Sequence, residues 1–163
     1  MPTPVQISIL AAVEARLKSI KTVNGYTTTA GRIKRATLTP FREDDLPALN
    51  YWPGVDRRLS QGAGWVEREL LVAIEYYDRT RDRPFSDVAY ELAADVGIAM
   101  LRAPAAPLTS DQPEFTLGGL VRSTQLLTAT PQIGEGQSPW CGIALEYAFA
   151  YRVSASNPTV LVT

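Results

Sequence analysis

The chain has 163 residues, of which 45% are hydrophobic and 20% charged, a composition typical of one globular domain with a core of its own. It carries 16 lysines and arginines against 17 aspartates and glutamates, and this balance excludes a globally basic surface for nucleic acid or membranes. There is no histidine and only one cysteine, Cys141, which excludes histidine-based catalytic triads, internal disulfides and cysteine-based zinc clusters.

The first third of the chain predicts one helix followed by mostly extended chain. An amphipathic helix is predicted over residues 4–21, because apolar residues recur there at helical spacing: Val5, Ile9, Val13, Leu17 and Ile20. Asn24-Gly25 ends this helix, and residues 26–29 are rich in β-forming side chains and predict an extended segment. Residues 31–45 are polar with a proline among them, which predicts a long excursion or a short edge strand.

The stretch LPALNYWPG begins at Leu46 and directly follows the acidic residues Glu43–Asp45. Its apolar part, residues 46–52, predicts a buried strand, and Pro53-Gly54 predicts a turn out of that strand. The charged, glycine-rich residues 55–64 predict a loop or the turn of a hairpin. The acidic triplet is more typical of a polar lead-in to a strand than of a metal site.

Residues 65–77 alternate as a long strand does, with one apolar and one acidic face. Arg68 interrupts the apolar face, and we expect the strand to leave the sheet there. The acidic face carries Glu67, Glu69 and Glu75. Carboxylates spaced in this way could bind a cation or take part in acid–base chemistry, but a solvated strand face is far commoner.

The second half predicts a helix and then a hairpin. The helix runs from an N-cap at Ser86 to about Arg102, where a proline-rich segment stops it. Its apolar stripe consists of Phe85, Val88, Leu92, Val96 and Ala99 or Met100. Two strands, at residues 120–130 and 140–153, are predicted to be joined by a loop over residues 131–139.

The last predicted strand has a face of small residues around one acid: Gly142, Ala144, Glu146, Ala148 and Ala150. Because alanine and glycine permit close approach of another surface, this face predicts a subunit contact. An exposed face, or one covered by the chain's own tail, is the alternative. Trp52, Trp65 and Trp140 fall at strand ends, where aromatic rings serve as core lids or as interface anchors.

Two helices can cover only one face of the predicted sheet. The fold class is therefore α+β, in two layers, with a mixed, mostly antiparallel sheet and both helices packed on one face. The domain spans residues 1–155, and residues 156–163 form a tail, either an extended arm or a frayed terminus. Since no apolar run is long enough to cross a membrane and no signal-type region is present at the N-terminus, we expect a soluble protein made in the cytoplasm.

The sequence lacks the motifs of the common enzyme classes. It contains no G-x-x-x-x-G-K-[ST] or G-x-G-x-x-G phosphate-binding loop and no G-x-S-x-G nucleophile motif. Cys141 falls on the apolar face of its strand, where a buried, inert thiol is expected. We therefore expect no enzymatic activity, no cofactor and no metal.

Four stretches of the chain carry a resemblance to a known family. They are NGY at residues 24–26, DDLPALNYWPG at 44–54, LGGL at 117–120 and LEYAFAYR at 145–152. With the predicted elements between them, they make the chain resemble the tail-terminator family of long-tailed bacteriophages, which are minor tail proteins, over nearly its whole length. None of the four stretches is a catalytic signature.

The resemblance implies an α+β subunit with helices on one side of a mixed sheet, which assembles as a ring, typically a hexamer, on the head-proximal end of the tail tube. Such a ring stops tube polymerisation and offers a surface for head–tail joining. The implied partners are further copies of the chain, the tail tube protein and a head–tail connector or neck protein. DNA would pass through without specific binding, no membrane would be involved, and the mature location would be the tail of the virion.

Two sets of residues are candidates for roles in such a ring. The first set would line the lumen, where negative charge would repel DNA phosphates: Glu67, Glu69, Glu75 and Glu146. The second set would contact a neighbouring subunit or the tube: Trp52, Asp56, Arg57, Arg58, Ala144, Ala148, Ala150 and Leu161. An interface between successive copies of a ring needs two different complementary surfaces on each subunit.

Two alternative functions stay open at this point. A neck or head-completion connector of a phage is the nearer alternative, because ring assembly and an acidic lumen would suit it equally. A small-molecule-binding α+β domain is the alternative of a different class. It predicts a concave pocket with convergent polar groups on the open face of the sheet.

Overall fold

The computed structural model describes residues 3–39, 41–80, 82–104, 113–133 and 140–162. The helices are α1, Val5–Lys18, and α2, Phe85–Met100. The strands are β1, Arg32–Arg35; β2, Ala48–Gly62; β3, Trp65–Arg79; β4, Ser123–Ile133; and β5, Trp140–Ser154. Short 3-10 helices span Thr22–Asn24 and Glu43–Asp45. Among the described residues, no helix is long and apolar enough to cross a membrane.

The five strands form one mixed sheet in the order β1-β2-β3-β5-β4. β1 is parallel to β2, and the other neighbouring pairs are antiparallel. Both helices pack on one face, so the predicted two-layer α+β fold is confirmed. The predicted short edge strand within residues 31–45 is β1.

The core lies between this face of the sheet and the helices. Along β3 and β5 every second side chain points into the core, because successive side chains of a strand alternate between its faces. The helices supply Val5, Ile9, Val13, Leu17, Val88, Leu92, Val96 and Met100. The strands supply Leu49, Tyr51, Leu70, Val72, Ile74, Tyr76, Ile143, Leu145, Phe149 and Tyr151.

The largest correction to the sequence prediction concerns β2. The strand does not turn out at Pro53-Gly54 but continues to Gly62. Of the two alternatives predicted for residues 55–64, the loop is wrong and the hairpin turn is confirmed, although the turn itself is confined to Ala63-Gly64. β1 pairs with β2 only up to Tyr51. Beyond that residue β2 is an edge strand, where proline costs little because its missing N–H need not serve a second neighbour.

The prediction that β3 leaves the sheet at Arg68 is wrong. Arg68 lies opposite Arg58 of β2, beside a register shift, and opposite Tyr151 of β5, where the pairing is continuous. Its guanidinium lies 3.1 Å from the carboxylate of Asp56. The charge therefore has a partner on the neighbouring strand, which makes its place in the sheet favourable.

Several boundaries also differ from the predictions. α1 ends at Lys18 rather than residue 21, and the hydroxyl of Ser19 donates to the carbonyl of Arg16 beyond its end. α2 begins after Pro84, so Ser86 lies inside the helix and is not its N-cap. α2 ends at Met100, two residues before the predicted end.

The bounds of the last two strands also differ from the predicted bounds, by one to three residues. β4 begins three residues later than predicted and continues to Ile133, through the start of the predicted loop. β5 matches the prediction to within one residue. Residues 134–139 of the predicted loop and residues 105–112 of the proline-rich segment lie outside the described residues.

The described part of the tail turns back on its own subunit. Leu161 forms a β-bridge with Val153, and the N–H of Val162 donates to the carbonyl of Arg152 over 3.1 Å. β4 pairs with β5 only as far as Ala150. The tail therefore occupies the edge of β5 that β4 leaves free.

Candidate functional site

The face of the sheet opposite the helices is the open face. The four acidic residues predicted to share a face do so, because Glu67, Glu69 and Glu75 alternate along β3 and Glu146 lies opposite Ala73 of the same strand. Period-two alternation is a local property of the sequence, which is why it could be seen there.

Two of these four carboxylates are compensated by arginines that the sequence prediction did not pair with them. Glu67 lies 3.5 Å from Arg152 and 3.6 Å from Arg122, and Glu69 lies 2.6 Å from Arg57. We call the half of the sheet nearest the β2–β3 turn at Ala63-Gly64 the distal half. Its open face is therefore a row of arginine–carboxylate pairs rather than a bare acidic surface. Exposed pairs of this kind contribute little to stability and are weakened by salt.

Glu146 differs from Glu67 and Glu69. It is half-buried, and it has neither an ion pair nor a hydrogen bond with the residues that the structure describes. Its nearest sheet partners are Ala73 on β3 and Thr128 on β4. Within this set it is the carboxylate whose charge is least compensated.

A groove occupies the other end of the open face. Residues 37–39 and 41–46 fold over the sheet there, and the side chain of Asn50 fastens them: its amide donates to the carbonyl of Thr37 over 3.1 Å and accepts from the N–H of Thr37 over 3.4 Å. The cavity beneath has a volume of about 480 Å³. It is lined by Thr37, Leu38, Thr39, Phe41, Arg42, Glu43, Leu46, Asn50, Trp52, Glu75, Tyr77 and Trp140.

Aromatic rings from four segments meet in this groove. Tyr77 makes an edge contact with Trp140, with ring centroids 5.6 Å apart, and a tilted contact with Phe41 at 6.2 Å. Its hydroxyl donates to Gln132 over 2.9 Å. Burial, followed by the negative charge of Glu75, raises the pKa of Tyr77 to about 12, so the phenol is neutral over the physiological range.

Glu75 is the charged group at the sheet floor of the groove. The indole N–H of Trp52 donates to its carboxylate over 3.2 Å. No basic side chain of the described residues forms an ion pair with it, although Arg42 also lines the groove. A carboxylate with neutral donors and aromatic rings around it attracts a cation.

The candidate interface residues are distributed over three places. Trp52 lines the groove; Arg57 and Arg58 are exposed on the distal half of β2; and Leu161 is half-buried in the tail. Asp56 instead has a structural role. Its carboxylate accepts hydrogen bonds from Arg68, from the Tyr151 hydroxyl at 3.0 Å and from Gln6 at 2.8 Å, which ties β2 to its neighbours and to α1.

The small-residue face of β5 is covered neither by the helices nor by the described tail, which pairs with the β5 edge beyond Ala150. Ala144 and Ala150 are half-buried and Ala148 is buried within the subunit itself. Gly142 is small for an internal reason, because a Cβ atom there would lie 2.5 Å from the ring of Tyr77. The prediction of a subunit contact stays open for Ala144 and Ala150, whereas the burial of Ala148 leaves it little surface for such a contact.

The groups with catalytic or metal-binding potential are tied into the fold. Cys141 is buried on the core face, and burial, followed by the charge of Asp78, raises the pKa of its thiol. Asp45 pairs with Arg32, and Glu43 lies 3.6 Å from Arg79. Within the described ranges, no three histidine, cysteine or acidic side chains come together as a metal site would require.

Trp65 and Trp140 also lie on the open face. The guanidinium of Arg152 stacks over the ring of Trp65, 4.1 Å from its centroid, and Trp140 contacts Tyr77 in the groove.

No protein-family model matches the chain, and no curated protein resembles it significantly.

Proposed function

We propose that the chain is a structural virion protein, the tail terminator of a long-tailed bacteriophage, which forms a ring on the head-proximal end of the tail tube. The observation that carries the proposal is the architecture. Both helices cover one face of a mixed sheet, which is the subunit that the resemblance implies, and the other face is open to a neighbour.

Three surfaces support assembly from successive copies. The distal half of β2 is an edge with exposed arginines, the groove is a largely apolar cleft, and β5 carries the half-buried Ala144 and Ala150 on the open face. These surfaces differ from one another, as an interface between the front of one copy and the back of the next requires. In this proposal, the ring stops polymerisation of the tube and carries the surface that joins the tail to the head.

The proposal is tested with purified chain and polymerising tail tube protein from the same phage. We expect tubes that stop growing and carry a ring at one end, seen by negative-stain imaging, because the terminator binds the last tube ring. Binding to the portal or its adaptor in place of the tube end would identify a neck protein. Binding to neither would reject both virion functions.

A role for the acidic residues follows from the same proposal. If the open face lines the passage for DNA, Glu146 contributes uncompensated negative charge that repels phosphates. Glu146→Lys should slow DNA ejection from assembled particles, whereas Glu69→Gln should change it less because Arg57 already compensates Glu69. Unchanged ejection with Glu146→Lys would remove this role.

A small-molecule-binding domain is the second candidate, because the groove has the volume and the polar groups that such a site needs. A thermal-shift screen of small cationic and aromatic compounds tests it. Stabilisation of the wild type that disappears in Glu75→Gln would favour this function. The absence of any stabilising compound, together with capping of tubes, would favour the terminator.

A further inference from the structure

The groove on the open face has the chemistry of a receptor for a cationic side chain. Glu75 lies at the floor with the indole N–H of Trp52 as its hydrogen-bond donor, and the rings of Tyr77 and Trp140 stand beside it. A guanidinium or ammonium group placed there would face a carboxylate and the faces or edges of aromatic rings. Both interactions strengthen when water is displaced.

The same chain carries a matching cation on the distal half of β2. Arg58 is exposed, and its guanidinium hydrogen-bonds only to the neutral side chain of Gln61 among the described residues. Exposed aliphatic side chains flank it, with Val55 61% and Leu59 48% accessible. The next arginine, Arg57, differs because it already pairs with Glu69.

The groove and Arg58 are too far apart to meet within one subunit. Arg58 lies opposite Arg68 in β3, and Arg68 is separated from Glu75 by seven residues of extended chain, or roughly 23 Å. This distance exceeds the reach of an arginine side chain. A contact between the two therefore requires two copies of the chain.

We propose that the groove of one subunit receives Arg58 and Leu59 from the β2 edge of a second copy, with Arg58 against Glu75 and Leu59 against the aromatic rings. The inference rests on the proposed ring function and names the contact that would join successive subunits. Each copy offers one groove and one β2 edge at opposite ends of the sheet. Contacts of this kind continue from copy to copy and can close into a ring.

The test is sedimentation velocity over a range of concentrations, with variants that leave the fold intact. Glu75→Gln keeps an acceptor for Trp52, and Arg58→Gln changes an exposed residue. We expect each to weaken self-association by about tenfold or more, because a charge in an interface loses its partner. The double variant should self-associate about as weakly as either single variant, since both substitutions remove the same contact.

Arg83→Gln is the control, because Arg83 is an exposed arginine that pairs with Glu91 of α2 and lies outside the proposed contact, and it should leave self-association unchanged. Circular dichroism should show the same fold in all variants. A wild type that stays monomeric, or self-association that neither Glu75→Gln nor Arg58→Gln alters, would overturn the inference. A monomer that still caps tail tubes would retain the proposed function and remove only this contact.

Discussion

The carboxylate of Asp95 in α2 accepts a hydrogen bond from the backbone N–H of Thr28 over 2.8 Å. The N–H of Thr27 donates to its other oxygen over 2.9 Å, and the Thr28 hydroxyl adds a third hydrogen bond. Asp95 is 1% exposed, so water cannot replace these donors. A buried acid on the second helix thus holds the segment that follows the first helix.

We predict that Asp95→Ala destabilises the protein by about 3 kcal/mol, because it removes the buried carboxylate that accepts hydrogen bonds from two backbone N–H groups and a hydroxyl. Urea unfolding followed by circular dichroism measures the loss. Asp87→Ala is the control on the same helix. Asp87 is exposed in the first turn, where an acid stabilises the helix dipole by only about 0.5 kcal/mol. Equal losses for the two variants would contradict the anchoring role of Asp95.

The distal hairpin of β2 and β3 should depend on Asp56 more than on its surface ion pairs. Asp56→Ala leaves the guanidinium of Arg68 and the hydroxyl of Tyr151 without their shared acceptor. We expect faster amide hydrogen exchange over residues 55–70, measured by mass spectrometry. Burial, followed by the charge of Asp56, raises the pKa of Tyr151 to about 12, so this hydroxyl stays a donor.

Arg57→Ala provides the comparison for this experiment. It removes the exposed pair with Glu69, and exposed pairs contribute only about 0 to 1 kcal/mol. Exchange in the hairpin should therefore change little. If Arg57→Ala loosened the hairpin as much as Asp56→Ala, the network around Asp56 would not be what holds it.

Glu114 should make the protein sensitive to acid. Burial raises the pKa of Glu114, but hydrogen bonds from Thr116 and Gly118, together with Arg16, outweigh it and hold the pKa below its usual 4.5. Since the folded state has the lower pKa, unfolding takes up a proton in this range. The stabilisation is complete above pH 4.5 and is lost as the pH falls through the folded pKa.

Glu114→Gln should therefore be less stable than the wild type at pH 7 and approach it in acid. Unfolding midpoints in urea between neutral pH and the acid limb measure the convergence. Parallel curves for Glu114→Gln would exclude Glu114 as the source of acid sensitivity.

The elements that the sequence predicted well are those with a long, uninterrupted local pattern. The apolar face is continuous in β3 from Leu70 to Tyr76 and in β5 from Cys141 to Val153, and the two helices keep their apolar stripes. The two-layer fold followed from these elements, because two helices can cover only one face of the sheet. Their ends were less accurate, since helix and strand boundaries depend on a few hydrogen bonds.

The second half of β2 could not be predicted from its own residues. Pro53-Gly54 and the charged residues after it have the composition of a loop, and their strand conformation depends on pairing with β3. A usable signal was present in the opposite charges around Ala63-Gly64. Arg57 falls opposite Glu69 when the hairpin turns there and β2 accommodates one extra residue between Arg58 and Ser60, and such cross-strand pairs favour a register.

The groove was missed for a related reason. Trp52, Glu75 and Trp140 come from three strands, and the other walls of the groove come from residues 37–39 and 41–46, which are held over the sheet by contacts such as the hydrogen bonds between Asn50 and Thr37. No local period connects these positions. The face of Glu75 was predictable, but its surroundings depended on contacts between residues distant in the chain.

Alanine substitutions at two glycines are predicted to change the stability of the protein in opposite directions. Gly142→Ala places a Cβ atom 2.5 Å from the Tyr77 ring and 2.7 Å from the Tyr76 carbonyl. The backbone atom cannot move aside, so overpacking should cost about 1 to 3 kcal/mol. Tyr77 would also be displaced from the groove, which a change in fluorescence of the neighbouring Trp140 should report.

Gly97→Ala is the matched substitution in α2, where no atom lies within 4 Å of an added Cβ. There the change should stabilise the protein by about 0.5 to 1 kcal/mol, because glycine loses more conformational freedom in a helix than alanine does. Urea unfolding of both variants gives the signs. If Gly142→Ala were neutral or stabilising, Tyr77 would be free to leave Gly142, and the aromatic wall of the groove would not be held by the packing described above.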